Sequence, residues 1–235
     1  MRINKFISLS GVASRRAADD LVRDGRVQVN GETIKDLGHQ VGESDEVTVD
    51  GRPARLPKNT TTLMFHKPPG CVCTHDDPQE RRTVYDYLPP GYADLKYVGR
   101  LDLQSRGLLL FTNDGELLHR LTHPSFQIPR SYLVWTTRPL SHAAAQHLVD
   151  GVDIGDDTEE IAHAEEVEFG DDFVELFLTE GKNREIRRMM EAVGYEIRDL
   201  KRVSFCGLTL QDLAAGDFRE LTANELNKLR QAVHL

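Results

Sequence analysis

Val98-Gly99-Arg100-Leu101-Asp102-Leu103-Gln104-Ser105-Arg106-Gly107-Leu108-Leu109-Leu110 sets one acid and two arginines between two apolar runs. A strand over 96–99 ends in a loop that carries Arg100 and Asp102, and an apolar strand over 107–112 follows. An acid among apolar residues is expensive to bury unless a cation faces it. Two readings stay open on these residues alone. Asp102 caps the loop and pairs with Arg100, or its carboxylate serves chemistry. Beyond the second strand, Asn113-Asp114-Gly115-Glu116 turns into a helix through Leu117, Leu118 and Leu121.

Outward from this centre, further strands are predicted at 62–66, 131–137, 173–179 and 197–206, and helices at 114–121, 141–150, 184–193 and 222–232. Strands interrupted by single helices, without strict βαβ alternation, predict an α+β fold. Its larger domain has a mixed, mainly antiparallel sheet flanked by helices. Residues 1 to about 52 read as a small α/β module. Ile3, Phe6 and Ile7 share a helix face, and Ser14 is the candidate N-cap of a helix from Arg15 to Asp24 that stops at Gly25. Val27 and Val29 alternate with polar residues, Asn30-Gly31 makes a tight hairpin, and Val47 and Val49 make a closing strand. The two prolines and scattered polar residues of 52–62 read as a linker, so the domains are taken as 1–58 and 59–235.

At 235 residues with 39% hydrophobic and 29% charged side chains, the chain is long enough for a core and has no apolar run near the ~20 residues of a membrane helix. Its start lacks the apolar stretch of a secretory signal, and the three cysteines, Cys71, Cys73 and Cys206, fit a reducing cytoplasm better than a disulfide scaffold. The net charge of −9 argues against a nucleic-acid partner until it is divided along the chain. Residues 141–180 hold 13 acids and no Lys or Arg, whereas the other 195 residues hold 29 basic and 25 acidic side chains. A basic surface therefore remains open to the rest of the molecule, and the acidic stretch is expected to face away from any RNA.

Several ordered motifs carry a family resemblance. Gly99-Arg100-Leu101-Asp102 with Ser105, Gly107 and Leu108 resembles the signature of pseudouridine synthases. Thr112-Asn113-Asp114-Gly115, His123-Pro124, Tyr132-Leu133-Val134, the upstream His66-Lys67-Pro68-Pro69-Gly70 and the downstream Glu180-Gly181-Lys182-Asn183-Arg184-Glu185-Ile186-Arg187-Arg188-Met189 narrow it to the RsuA-like group, which acts on ribosomal RNA. Arg2-Ile3-Asn4-Lys5-Phe6, Ser14-Arg15-Arg16-Ala17-Ala18 and Gly25-Arg26-Val27 resemble the small RNA-binding module of a ribosomal small-subunit protein and of bacterial tyrosyl-tRNA synthetases.

The resemblance implies a uridine isomerisation that needs one placed carboxylate and no cofactor or metal. It assigns catalysis to Asp102, an electrostatic partnership to Arg187, and base stacking with proton transfer to Tyr132. It implies RNA contacts by Lys5, Arg15, Arg16, Arg26, Lys67, Arg100, Arg130, Asn183, Arg184 and Arg188. The family's usual lysine two residues before the tyrosine is here Arg130, a change of geometry at constant charge. The expected partner is ribosomal RNA or an assembly intermediate, with large-subunit RNA favoured, for a monomer in the cytoplasm. The rival is a non-catalytic RNA-binding assembly factor, and a third reading is a glycoside hydrolase that would release free base. Cys71-x-Cys73 lacks the second ligand pair of a zinc site and reads as thiols in a strand. His119 and His123 lack the metalloprotease Glu, and Asp150, Asp153, Asp156 and Asp157 lack the alternation of a calcium loop.

Overall fold

In a computed structural model the described residues are all but Glu43, Lys58, Asp156 and Asp157. Part of the predicted linker and part of the acidic loop thus lie outside them. The chain divides into two units, Met1–Thr61 with Asn113–Gly115, and the remainder.

In the first unit, α1 (Ile3–Leu9) and α2 (Arg15–Arg23) pack Ile3, Ile7, Ala18 and Val22 into one core with Val27, Val29, Val47 and Val49. Ser14 Oγ accepts from the Ala17 N–H at 3.2 Å, which satisfies one orphan donor at the start of α2. Asn30 and Gly31, both at positive φ (52° and 84°), form the two-residue turn between β1 (Val27–Val29) and β2 (Glu32–Thr33). The sheet order is β2-β1-β3-β4, with β3 at Val47–Val49 and β4 at Arg52–Ala54. The linker expectation is corrected here: its first three residues are an edge strand, where Pro53 needs no ladder donor on its open side.

The second unit is built on one mixed sheet. Its strands are β5 (Thr62–Lys67), β6 (Lys96–Val98), β7 (Arg106–Thr112), β8 (Arg130–Thr136), β11 (Glu166–Phe169), β12 (Val174–Leu178), β13 (Ile197–Phe205), β14 (Leu208–Thr209) and β15 (Phe218–Glu220). A separate small ribbon pairs β9 (Val152–Asp153) with β10 (Ile161–Ala162). The main order is β11-β12-β8-β13-β7-β5-β15, with β6 on β7 and β14 on β13. The β13–β7 pairing is parallel and the other pairings are antiparallel, as the α+β expectation requires. Helices α3 (Gly115–Thr122) and α6 (Ala223–Ala232) cover one core with Leu108, Leu110 and Phe205. Helices α4 (His142–Asp150) and α5 (Glu185–Ala192) cover another with Val134, Leu176 and Leu200. Among the described residues no helix is long and apolar enough to cross a membrane.

Gly107 is where the two halves of the sheet meet. Its φ is +116°, and a Cβ there would come within 2.6 Å of the Arg202 backbone nitrogen. Only glycine lets β7 approach β13 this closely without strain. At the C-terminus, Thr222 and Glu225 form a capping box on α6, and Arg219 on β15 holds the same carboxylate at 2.7 and 2.8 Å. Arg219 and the Thr222 donors bring the Glu225 carboxyl down to about 2. The unfolded value is about 4.3, so this contribution is whole above that pH and is lost as pH falls toward the folded value. The stability gap between the parent and Glu225→Gln in urea unfolding is expected to close over that acid range. A gap unchanged at pH 3 would show that the charge is irrelevant.

Candidate active site

The loop between β6 and β7 is held from beneath. Lys67, at the end of β5, is 0% exposed, and its Nζ donates to the carbonyls of Pro68, Asp102, Leu103 and Ser105 at 3.1, 3.0, 3.4 and 2.8 Å. Burial pushes the Lys67 ammonium below its ordinary value. The Gly70 N–H donates to Leu103 O at 2.8 Å, and the Cys73 thiol donates to Leu101 O at 3.4 Å. The expected RNA contact of Lys67 is therefore corrected: a fully buried ammonium spends its donors inside the protein. Cys71 and Cys73 are free, buried thiols, but they flank an isolated bridge from Val72 to Thr83 rather than lying in a strand.

On this platform Asp102 is half-buried, with its side chain 31% exposed. Its Oδ2 lies 3.6 Å from Arg187 Nε, an ion-pair distance longer than a hydrogen bond. Arg187 stands on α5 and also donates from Nη2 to Ser105 Oγ at 3.3 Å. Burial lowers the Arg187 pKa, and Asp102 opposes that shift; a guanidinium stays charged under both influences. The cation beside Asp102 is thus Arg187, while Arg100 is exposed at the rim. Tyr132, at the middle of β8, pairs with Leu176 on one side and Arg202 on the other, and is half-buried.

These groups line a cleft of about 280 Å³, near the low end for small-ligand sites. Asn183 and Arg184 stand exposed in its lining, and Arg184 at φ +49° starts α5. Arg130 lines it too, with Nε on the Ile128 carbonyl at 3.0 Å and its guanidinium 5.5 Å from the Phe205 ring centroid. Burial lowers its pKa. Arg188 is on the same helix but does not line this cleft; it pairs with Glu160 at 3.1 Å. Lys5, Arg15, Arg16 and Arg26 belong to the first unit. There Arg15 and Arg16 are exposed at the start of α2, and Arg26 holds Asp50 through two bonds of 2.8 and 2.6 Å.

Three charged residues of the cleft, Lys182, Glu185 and Arg202, were given no role from the sequence. Glu185, 6% exposed, accepts from the Lys182 N–H at 3.1 Å, and burial raises its carboxyl pKa. Arg202, 2% exposed, donates from Nε to Leu108 O at 2.7 Å. Arg202 shares a strand face with buried Leu200, but Arg198 and Ser204 have the same parity, so no apolar period marked the site. Among the described residues no group of three or more His, Cys, Asp or Glu side chains is arranged to hold a metal ion.

Comparison with known proteins supplies the frame for this geometry. An RNA pseudouridylate synthase family model matches residues 61–192, and an S4 domain model matches residues 1–47. Ribosomal large subunit pseudouridine synthase B of Pseudomonas aeruginosa is 36% identical over 100% of this chain, which spans 63% of that longer protein. The protein of the same name from Bacillus subtilis is 34% identical over 97% of this chain and 95% of its own length. A crystal structure of a pseudouridylate synthase, 30% identical, aligns with a TM-score of 0.71 over 97% of this chain and 99% of its own. Matched by the family model over more than half its length and by such relatives nearly end to end, the chain belongs to the RNA pseudouridylate synthase family, as an RsuA-like isomerase with an S4 domain at its N-terminus.

Proposed function

We propose that this chain converts a uridine of large-subunit ribosomal RNA to pseudouridine, with Asp102 as the reacting carboxylate, Arg187 as its electrostatic partner and Tyr132 as the platform for the base. The observation that carries the reading is the Asp102–Arg187 pair at 3.6 Å in a cleft of about 280 Å³ that Tyr132 also lines. In the reaction the N1–C1′ bond breaks, the base turns, and a C5–C1′ bond forms. The C5 proton leaves and N1 ends protonated, so neither water nor an oxidant is consumed. Asp102 attacks the sugar or removes a sugar proton, and the Arg187 guanidinium stands beside it as counter-charge. The uridine must leave its stack to enter a pocket of this kind.

Arg100, Asn183 and Arg184 at the rim are suited to the phosphates that flank a flipped nucleotide. On the S4 domain, Arg15 and Arg16 combine their charge with the free N–H groups at the start of α2. Large-subunit RNA as substrate is supported by the names of the two relatives above. The reading places a monomer in the cytoplasm, without a cofactor.

The test is to incubate the purified protein with small- and large-subunit ribosomal RNA transcripts and to map pseudouridines in each. A new pseudouridine confined to the large-subunit transcript is expected, and the same position should be unmodified in a strain lacking the protein. Modification of the small-subunit transcript instead would move the substrate. Tight binding with no pseudouridine in either RNA would favour a non-catalytic assembly factor.

A further inference from the structure

Arg202 is the deepest cation of the cleft and carries an unspent donor. Its Nε is fixed on Leu108 O at 2.7 Å, and its guanidinium sits 4.8 Å from the Phe205 ring centroid. Its Nη2 is buried and makes no hydrogen bond among the described residues. A buried donor left unmet is costly, so such a group asks for an acceptor that arrives from outside. The guanidinium is also held in place before that acceptor comes. Backbone contact at Gly107, pairing of Arg202 with Tyr132 across the strands, and the Phe205 ring together fix it.

Depth in the cleft indicates which acceptor that is. Asp102, the group that must reach the sugar, has a side chain 31% exposed, whereas Arg202 is 2% exposed. A uridine whose ribose lies at Asp102 directs its base inward. The ring position opposite N1 is C4, so the innermost substituent is the 4-carbonyl. We propose that Arg202 is the specificity-determining residue of this cleft, donating from Nη2 to uracil O4 and so excluding cytosine, whose 4-amino group is itself a donor.

The same placement has a consequence for the turning of the base, and it rests on the cleft being a uridine site. Uracil is nearly symmetric about the line through C6 and N3. Turning it about that line exchanges N1 with C5 and O4 with O2, and leaves N3–H where it was. After the turn, C5 faces C1′ and O2 occupies the place that O4 had. One fixed donor therefore holds the detached base in both orientations, which keeps it from being lost between bond breakage and bond formation. Cytosine has no such symmetry and would present an amine in the first orientation.

The experiment uses the whole protein and short RNA hairpins spanning the uridine found by the mapping above. That position is made uridine, cytidine, 4-thiouridine or 2-thiouridine. With the parent protein, cytidine and 4-thiouridine hairpins should bind about tenfold or more weakly than uridine, because amine and thiocarbonyl are poor partners for the donor. The 2-thiouridine hairpin should bind normally and turn over about tenfold or more slowly, since its sulfur meets Arg202 only after the turn. Arg202→Met should bring uridine and cytidine binding within about twofold of each other. Arg202→Lys, which keeps a donor, should retain part of the preference. If Arg202→Met fails to fold, the thio-substituted hairpins on the parent protein decide alone. Unchanged uridine preference in a folded Arg202→Met, or equal behaviour of the two thio hairpins, overturns the assignment. Absence of turnover on every hairpin would count against the isomerase reading, while the binding comparisons would still judge Arg202.

Discussion

Asp102→Asn is expected to lower pseudouridine formation by at least about 10⁴-fold while RNA affinity and thermal stability stay close to the parent. The substitution keeps the size of the side chain and removes only its charge and basicity. Neither nucleophilic attack on the sugar nor removal of a sugar proton survives that loss. Affinity should survive because the exposed cations of the rim and of α2 are untouched. Stability should survive because the Asp102–Arg187 contact, at 3.6 Å, is longer than a hydrogen bond, and asparagine keeps an oxygen beside the guanidinium. Release of tritium from RNA labelled at uridine C5 measures the reaction directly, since that proton must leave. Filter binding over a salt series measures affinity separately. Turnover within about tenfold of the parent would remove Asp102 from the mechanism altogether.

Much of the sheet was legible because long apolar strands and amphipathic helices carry their own period. The helix at 184–193 is an example: Ile186, Met189 and Met190 are buried on one face. Arg52–Ala54 escaped because three residues with a central proline show no alternation, and only their position at an edge makes them a strand. Charged residues were misread in one direction. Lys67 was taken for an RNA contact, and Arg202, in the stretch Leu200-Lys201-Arg202, was given no role. Burial of a lysine is decided by carbonyls 35 to 38 residues away, which no local pattern reveals. The Lys-Pro-x-Gly resemblance located the residue without saying which way it points.

The charge balance changes sense at the scale of the cleft. The chain as a whole carries −9, yet the cleft lining holds Arg100, Arg130, Lys182, Arg184, Arg187 and Arg202 against Asp102 and Glu185 alone. Burial raises the Glu185 pKa. An anionic polymer is drawn to such a cleft by placed cations rather than by a net field. Its binding should therefore fall with salt in proportion to a small number of phosphate contacts. Ion pairing inside the acidic 141–180 stretch follows the same division, with Glu160 taking up Arg188 from α5.

Lys67→Met tests whether the active-site loop is held from below or whether this lysine meets RNA. An ammonium has three hydrogens, and the three shortest contacts, to Ser105, Asp102 and Pro68, account for them. Burial of the charge opposes this arrangement, as the lowered pKa shows, so the carbonyl cage must outweigh the lost hydration. Methionine fills a similar volume but leaves those carbonyls without a donor. Each buried orphan costs about 1–3 kcal/mol, which puts the expected loss in urea unfolding at about 3 kcal/mol or more. The loop that carries Asp102 should then shift, and a displacement of about 1 Å at a reacting group costs about 10²-fold in rate. Both losses should appear together in the folded fraction below the midpoint, with RNA affinity and its salt dependence unchanged. Arginine should not rescue, because a larger head in a site with 0% exposure overpacks it. The opposite pattern, full stability with weaker and less salt-sensitive RNA binding, would return Lys67 to the RNA contact that the resemblance implied.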